Sequence, residues 1–290
     1  MKKLFTAMLA ASGAIAASGA ALAAQPQPWE MYFQPAATSI MHQITWFGTY
    51  TFWFITPITL LVLGLLAWVL LKYRASVNPT PSRTSHNTLI EVIWTVGPVI
   101  VLLFLAVPSF QLLTAQYSPP EEPALTVKAT GYQWYWGYEY QDGDEPMSFD
   151  SLLLADDDRD AAGKADKAAY PRLLAVDNEM VVPVGKTVRV LVTAEDVLHS
   201  FAMPAFGMKM DAVPGRMNET WFKAEKEGLY YGQCSELCGK DHAYMPIGIR
   251  VVSEEQFATW RAAAAADLEG ANKALMASIE TKNKLALNGQ

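Results

Sequence analysis

The sequence contains only two cysteines in 290 residues, Cys234 and Cys238, which excludes a fold built on several disulfides. No Cys-x-x-Cys-His motif occurs, so a covalently attached c-type haem is excluded as well. Basic residues are also few, since 22 lysines and arginines stand against 29 acidic residues, for a net charge of −7. A chain with this balance is not expected to bind nucleic acid.

Charged residues are absent from two long stretches, 46–71 and 92–117. Each is longer than the roughly 20 apolar residues needed to cross the hydrocarbon core of a bilayer. A buried helix of a soluble protein rarely runs this far without a charge. We therefore predict two transmembrane helices, over 46–72 and 89–117, which embed the chain among membrane lipids.

The segment between the predicted helices, 73–88, contains basic residues and no acid, which predicts a cytoplasmic loop. The N-terminus supports the same orientation. Two lysines followed by an alanine-rich apolar run indicate a secretory signal peptide over 1–24, with an uncleaved membrane anchor as the alternative. The segment 25–45 would then be exported, and both outer ends of the helical hairpin would lie outside the cytoplasm.

The sequence pattern changes from helical to strand-like after the second helix. Apolar and polar residues alternate with period two in several short stretches bounded by proline and glycine, including 125–130, 187–192 and 247–251. This pattern predicts a Greek-key β-sandwich over 118–253. The charged stretch 155–169 is predicted to be a surface insertion, and 254–290 to be a C-terminal helix and tail, either frayed or disordered.

Both cysteines belong to a cluster of soft metal ligands with the spacing Cys-x3-Cys-x3-His-x2-Met, formed by Cys234, Cys238, His242 and Met245. A second histidine, His199, precedes the cluster by roughly one supersecondary unit. Thiolate, imidazole and thioether groups together suit copper better than magnesium or calcium.

Four kinds of site are compatible with this cluster. A plain disulfide leaves His199, His242 and Met245 without a role. Structural zinc uses two cysteines and two histidines but has no need of a thioether. A mononuclear blue-copper site uses all the ligands except one cysteine. A dinuclear site with two bridging thiolates uses every ligand.

The loop 232–239, Gly-Gln-Cys-Ser-Glu-Leu-Cys-Gly, resembles the dinuclear copper (CuA) loop of cytochrome c oxidase subunit II. The stretches 131–136, 196–201 and 213–216 resemble the same family, and the similarity extends from about Trp46 to Trp260. It implies a two-helix transmembrane hairpin followed by an all-β cupredoxin-like sandwich. It also implies a place in the inner membrane of a bacterium, with the large C-terminal domain in the periplasm.

The resemblance implies a role for each ligand. Cys234 and Cys238 would bridge two copper ions, and His199 and His242 would each bind one of them. Met245 and the backbone carbonyl of Glu236 would be weak axial ligands. The side chain of Glu236 would bind a magnesium ion at the interface with the catalytic subunit.

The resemblance also implies the reaction and the partners. The chain would be subunit II of an aa3-like cytochrome c oxidase, a proton-translocating oxidoreductase. It would take electrons from cytochrome c at Trp134 and pass them to a haem–copper catalytic subunit that reduces oxygen to water. Glu91 would lie at the mouth of a proton channel, although Thr88-x-x-Glu91 also has the form of a helix capping box.

Acidic residues dominate the exported domain, with 22 acids against 13 basic residues between 121 and 252. Such a field can steer a basic protein partner toward exposed aromatic residues. The candidate docking acids are Glu139, Asp142, Asp144, Glu145, Asp150, Glu195 and Asp196. Strand alternation puts Trp134 and Trp136 on one face and allows core packing for either, whereas the resemblance favours Trp134 as the exposed one.

Two other functions are compatible with parts of the sequence. A quinol oxidase subunit II would have the same hairpin and sandwich but would lack the copper ligands, so the intact ligand set disfavours it. A copper-carrying assembly protein would need a labile metal site and would have no use for the Trp134 motif.

Overall fold

A computed structural model describes residues 25–143 and 147–288. The predicted signal peptide, 1–24, lies outside the described residues, and so do the candidate docking residues Asp144 and Glu145. The chain divides into two compact units. One is Gln43–Ala115, and the other combines Met1–His42 with Gln116–Gln290.

Two long apolar helices make up the first unit, α1 (Ser39–Lys72) and α2 (Thr88–Tyr117). Their most apolar 18-residue windows have mean hydropathies of 2.5 and 2.4, and nothing in those windows is buried within the chain. The Tyr50 hydroxyl donates a hydrogen bond to the carbonyl of Phe104 over 3.2 Å and links the two helices. Both helices are long and apolar enough to span a membrane, as predicted.

The helix starts differ in detail from the predictions. Helix α1 begins at Ser39 rather than at 46, because the Thr38 hydroxyl caps it by accepting from the Met41 amide at 3.1 Å. Helix α2 is capped by Asn87, whose side chain accepts from the Ile90 amide at 3.2 Å. The capping box predicted at Thr88 was therefore wrong by one residue. Glu91 still reaches back to the helix start, where it accepts from the Asn87 amide at 3.2 Å.

The second unit is a sandwich of two five-stranded sheets, as predicted. One sheet has the strand order β3-β2-β1-β5-β8 and the other has β4-β10-β9-β6-β7. The strands are β1 (Leu125–Tyr132), β2 (Tyr135–Tyr140), β3 (Met147–Ser151), β4 (Met180–Pro183), β5 (Thr187–Ala194), β6 (His199–Met203), β7 (Met208–Ala212), β8 (Asn218–Lys223), β9 (Gly228–Cys234) and β10 (Pro246–Val252).

Alternation along the strands produces the core between the sheets. Val188, Val190 and Val192 of β5 all point inward and are fully buried. Phe201 and Ile249 of the opposite sheet are equally inaccessible to water. Burial of each such side chain contributes about 1.5–3 kcal/mol, so this core holds the two sheets together and provides a rigid base for the loops at the sandwich edge.

The C-terminal residues fold as two helices, α3 (Glu254–Ala264) and α4 (Leu268–Asn288). Ser253 caps α3 in a capping box with Gln256. Trp260 is buried and donates a hydrogen bond to the Asn272 side chain over 2.8 Å, which ties α3 to α4. The described part of 254–290 is therefore a packed helical pair. The predicted helix is present as α3, and the residues predicted to be frayed or disordered form α4 as far as Asn288.

The predicted surface insertion, 155–169, is anchored to the sandwich by buried cations. The Lys164 ammonium is 4% exposed and donates to the carbonyls of Val176 and Asp177, at 2.8 and 2.7 Å. It also pairs with the Glu179 carboxylate at 2.8 Å. Most of the insertion is exposed, as predicted, and only Arg159 and Lys164 are buried within it. Lys164 is stable inside the protein because its hydrogen bonds are satisfied.

Candidate metal centre

The predicted ligands come from two segments that meet at one end of the strands of the second sheet. His199 is the first residue of β6 and Cys234 is the last residue of β9. These strands are antiparallel, with Phe201 opposite Cys234, so residues 35 positions apart become neighbours. Cys238, His242 and Met245 follow in the loop from β9 to β10, which we call the ligand loop (235–245).

The sulfur and nitrogen atoms of these residues converge. The two cysteine Sγ atoms are 3.9 Å apart and form no disulfide. Cys234 Sγ lies 3.8 Å from His199 Nδ1 and 3.3 Å from the carbonyl oxygen of Glu236. Cys238 Sγ lies 3.5 Å from both His242 Nδ1 and Met245 Sδ. Each thiol thus has one imidazole and one weaker donor beside it.

Most of the predicted ligands are buried, and His242 is half-buried. His199 is fully buried, and Met245, Cys238 and Cys234 are 1%, 3% and 6% exposed. Potential ligand atoms of His199, Cys234 and Cys238 all lie within 4.8 Å of one another. The thioether beside Cys238 has no function in a structural zinc site, whereas thiolate, imidazole and thioether together match copper. The donor set fits copper.

The two thiols differ in acidity. Burial raises the pKa of Cys234, but the adjacent His199 ring and nearby backbone groups outweigh burial and lower the pKa to about 7. Burial and the neighbouring Cys234 raise the pKa of Cys238 to about 12. Because the two thiols lie side by side, loss of the proton from one makes the proton on the other harder to remove. A metal that binds both thiolates must displace that proton.

Asp196, predicted as a docking acid, is exposed and also contacts a metal ligand. Its Oδ1 lies 2.9 Å from His199 Nε2 and accepts from the Val197 amide at 2.6 Å. Its Oδ2 accepts from the Gln133 amide at 2.7 Å. A carboxylate at Nε2 keeps the proton on that nitrogen and leaves Nδ1 free toward the thiols. This orienting role was missed, although a carboxylate three residues before a ligand histidine was a usable signal.

Trp134 and Trp136 do not share a face as strand alternation predicted, because residues 133 and 134 form the turn between β1 and β2. Trp136 is fully buried, and its indole nitrogen donates to the Met245 carbonyl at 3.3 Å. Trp134 is half-buried and donates to the Cys238 carbonyl at 3.2 Å. Trp134 therefore connects the protein surface to the ligand loop.

The remaining candidate docking acids fall into two groups. Asp150 and Glu195 are exposed and lie close enough to the stacked Tyr132–Tyr135 pair to add to the effect of burial, which raises the pKa of Tyr132. Glu139 lies in β2, and Asp142 follows this strand. They pair with Lys128 at 3.7 Å and with Arg261 at 3.3 Å, respectively. Their charges are partly neutralised.

Glu236 and Glu91 stand apart from the buried ligands. Glu236 is exposed on the ligand loop, and its carbonyl faces Cys234. Glu91 is half-buried at the start of α2 in the helical unit.

Comparison with known proteins agrees with this architecture. The family described as "Cytochrome C oxidase subunit II, periplasmic domain" matches residues 125–252, and its transmembrane domain matches 26–112. A probable cytochrome c oxidase subunit 2 of Rickettsia bellii is 46% identical over 278 residues, which are 96% of this chain and 93% of the relative. Cytochrome c oxidase subunit 2 of Cereibacter sphaeroides is 44% identical over 268 residues, covering 86% and 88% of the two chains.

Among solved structures, the periplasmic domain of cytochrome oxidase subunit II from Bradyrhizobium japonicum is 58% identical. The alignment covers 48% of this chain and 92% of that one, with a TM-score of 0.43. The family matches cover both the helical hairpin and the sandwich, and the histidine–cysteine cluster fits the copper centre of the family. The chain therefore belongs to the cytochrome c oxidase subunit II family and is the membrane-bound subunit II of a haem–copper terminal oxidase.

Proposed function

We propose that this chain accepts electrons from cytochrome c and passes them to the catalytic subunit of an aa3-like, proton-pumping oxidase. The observation that carries the proposal is the convergence of two thiols, two imidazoles and a thioether beneath a half-exposed tryptophan. The basic loop 73–88 and the exported sandwich support a position in a bacterial inner membrane, with the sandwich in the periplasm.

In this proposal Cys234, Cys238, His199 and His242 would hold two copper ions. Met245 and the Glu236 carbonyl would be weaker donors to them. Such a centre, when bound, takes up and releases single electrons. The protein supplies a largely buried site in which His199 and Cys234 are anchored at strand ends, so that these donors need to move little when the charge of the centre changes.

Trp134 is proposed as the point at which electrons enter. Its ring is partly accessible, and its indole nitrogen is hydrogen-bonded to the Cys238 carbonyl over 3.2 Å. A partner that covers this ring is then connected to a copper ligand by one hydrogen bond and a few covalent bonds. Trp136 has no such exposure, because it is fully buried.

Exposed acids around this surface would attract a lysine-rich cytochrome c. Asp150 and Glu195 are the strongest candidates, since both are exposed and lie near the tip of the β1–β2 hairpin. Glu139 and Asp142 are expected to contribute less because of their pairing with Lys128 and Arg261. Asp144 and Glu145 keep their predicted docking role.

Two further roles concern the catalytic subunit. The exposed carboxylate of Glu236 is proposed to bind a magnesium ion whose other ligands come from that subunit, since carboxylate oxygens suit this ion. Glu91 is proposed to lie at the mouth of a proton channel. Its bond to the Asn87 amide holds the carboxylate at the start of α2.

The copper content of the full-length chain in detergent tests the central proposal. We expect two copper ions per chain and an EPR spectrum with hyperfine splitting from two equivalent copper nuclei. Cys238→Ser should abolish that splitting, while Met245→Leu should mainly shift the reduction potential. A spectrum from a single copper nucleus, or one copper per chain, would contradict the dinuclear site.

A further inference from the structure

We propose that Gln133 is a positioning residue that braces the metal centre by joining its two ligand-bearing segments. The inference rests on the proposed assignment of His199 and Cys238 as copper ligands. Gln133 lies in the turn between β1 and β2, which belong to one sheet. Both ligand-bearing segments, β6 and the ligand loop that follows β9, belong to the other sheet.

The first half of the brace runs to His199. The Gln133 backbone amide donates to Asp196 Oδ2 at 2.7 Å. The other oxygen of this carboxylate lies 2.9 Å from His199 Nε2. Because one carboxylate is shared, the orientation of the His199 ring depends on the position of the Gln133 backbone. Asp196 is the link between them.

The second half of the brace runs to the ligand loop. The Gln133 side-chain amide donates to the Cys238 carbonyl at 2.8 Å, and the Trp134 indole donates to the same oxygen at 3.2 Å. This carbonyl therefore has two donors, both from the β1–β2 turn. One residue thus reaches a histidine-bearing strand with its backbone and a cysteine-bearing loop with its side chain.

A glycine permits this close approach. Gly239 follows Cys238 with a φ of +125°, a conformation that favours glycine. A Cβ at this position would lie 3.0 Å from the Trp134 ring and 3.2 Å from the side-chain amide nitrogen of Gln133. The ligand loop is therefore in direct contact with the turn. Without the Gln133 side chain, the loop would keep the single Trp134 bond to its central carbonyl.

If Gln133 braces the site, removal of its side-chain donor should weaken metal binding and leave the overall fold unchanged. Groups that orient metal ligands typically change metal affinity about ten- to a hundred-fold when they are removed. Gln133→Met keeps the side-chain length and the backbone amide but removes the donor to Cys238. The matched control is Gln141→Met, since Gln141 is exposed beyond β2 and its side chain bonds only to Glu139 among the described contacts.

The experiment uses the copper-loaded full-length chain in detergent. We expect Gln133→Met to speed transfer of copper to a Cu(I) chelator such as bathocuproine disulfonate at least tenfold, and to alter the copper hyperfine splitting. Gln141→Met should match the unsubstituted chain in both measurements. Thermal unfolding of all three metal-free chains should be similar. Equal transfer rates and equal spectra for the two variants would overturn the proposal.

A measurement on the unsubstituted, metal-free chain covers the case in which Gln133→Met fails to fold. The bond to Asp196 should make the Gln133 amide exchange with solvent far more slowly than an exposed turn amide does. Exchange at the rate of a free turn amide would overturn the brace. This measurement needs no metal, so it stands even if the chain proves to bind one copper ion and the dinuclear function fails.

Discussion

Asp196 and Glu195 are adjacent exposed acids with different contacts. The Asp196 carboxylate contacts His199 and Gln133, and Glu195 has no such contact with a metal ligand among the described hydrogen bonds. We expect Asp196→Asn to change the copper spectrum and reduction potential, because the His199 ring loses its carboxylate partner. Glu195→Gln removes the same formal charge and should change only the salt dependence of cytochrome c association.

Potentiometric titration and stopped-flow reduction at several ionic strengths separate the two effects. If both variants keep the copper spectrum of the unsubstituted chain and lose the same amount of cytochrome c association, Asp196 acts as a docking acid and does not orient His199.

Gly131 packs against His199, so its substitution should destabilise the protein. A Cβ there would lie 2.9 Å from Cδ2 and 3.1 Å from Cβ of His199. The His199 ring is fully buried and held by Asp196, so it has little freedom to move away. Gly131→Ala should therefore destabilise the fold by about 1–3 kcal/mol and weaken copper binding. Denaturant unfolding measures the stability, and copper uptake measures the binding. Unchanged stability and unchanged copper uptake would show that the His199 ring can shift.

Trp134 and Trp136 should respond differently to substitution by phenylalanine. Trp134→Phe removes the bond to the Cys238 carbonyl from a half-exposed ring, so electron transfer within the complex should slow strongly while cytochrome c still binds. Trp136→Phe should instead lower stability, because the ring is fully buried in the core. Stopped-flow reduction and thermal unfolding distinguish the two. Loss of the copper signal in Trp134→Phe would mean that Trp134 is chiefly structural.

At the scale of elements, the segment around Lys164 depends on a buried carboxylate. Burial by itself raises the pKa of Glu179, but Arg250 and Lys164 outweigh burial and lower it to about 2 from the ordinary 4.5. A depressed pKa contributes stability above the unfolded-state value, and this stability is lost as pH falls from about 4.5 toward 2. The metal-free chain should therefore lose thermal stability over this range.

Glu179→Gln tests the source of that dependence. It leaves the buried cations Lys164 and Arg250 without their carboxylate, which should cost about 3–5 kcal/mol at neutral pH. It should also flatten the acid dependence of the melting temperature. Glu227→Gln is the control, since Glu227 pairs with Lys282 at the surface and should have little effect. Equal melting curves for both variants would contradict the argument.

Strands such as β5 were predictable, because alternation in sequence matches alternation in burial. The metal ligands were predictable as a group from their chemistry and spacing. The environment of Lys164 was not, because a charged side chain gives no sign in sequence that distant carbonyls will surround it. Gln133 was missed for a related reason, since half of its contacts are made by its backbone.

For the whole molecule, the basic loop 73–88 predicts an orientation in the membrane. A protease added to the outer face of intact membranes should digest the sandwich and leave this loop uncut. Peptides recovered by mass spectrometry would identify the cleavage sites, and permeabilised membranes provide the control. Cleavage within 73–88 from the outside would reverse the orientation.

The Lys164 ammonium is held by two backbone carbonyls and a carboxylate, which are oxygen donors of the kind that also bind exchangeable cations such as calcium. An ammonium attached to the polypeptide cannot be extracted by EDTA or lost on dilution. Chelation would thus empty the copper site but leave this flank of the sandwich intact. Repeated removal and reloading of copper should consequently be possible without refolding the protein.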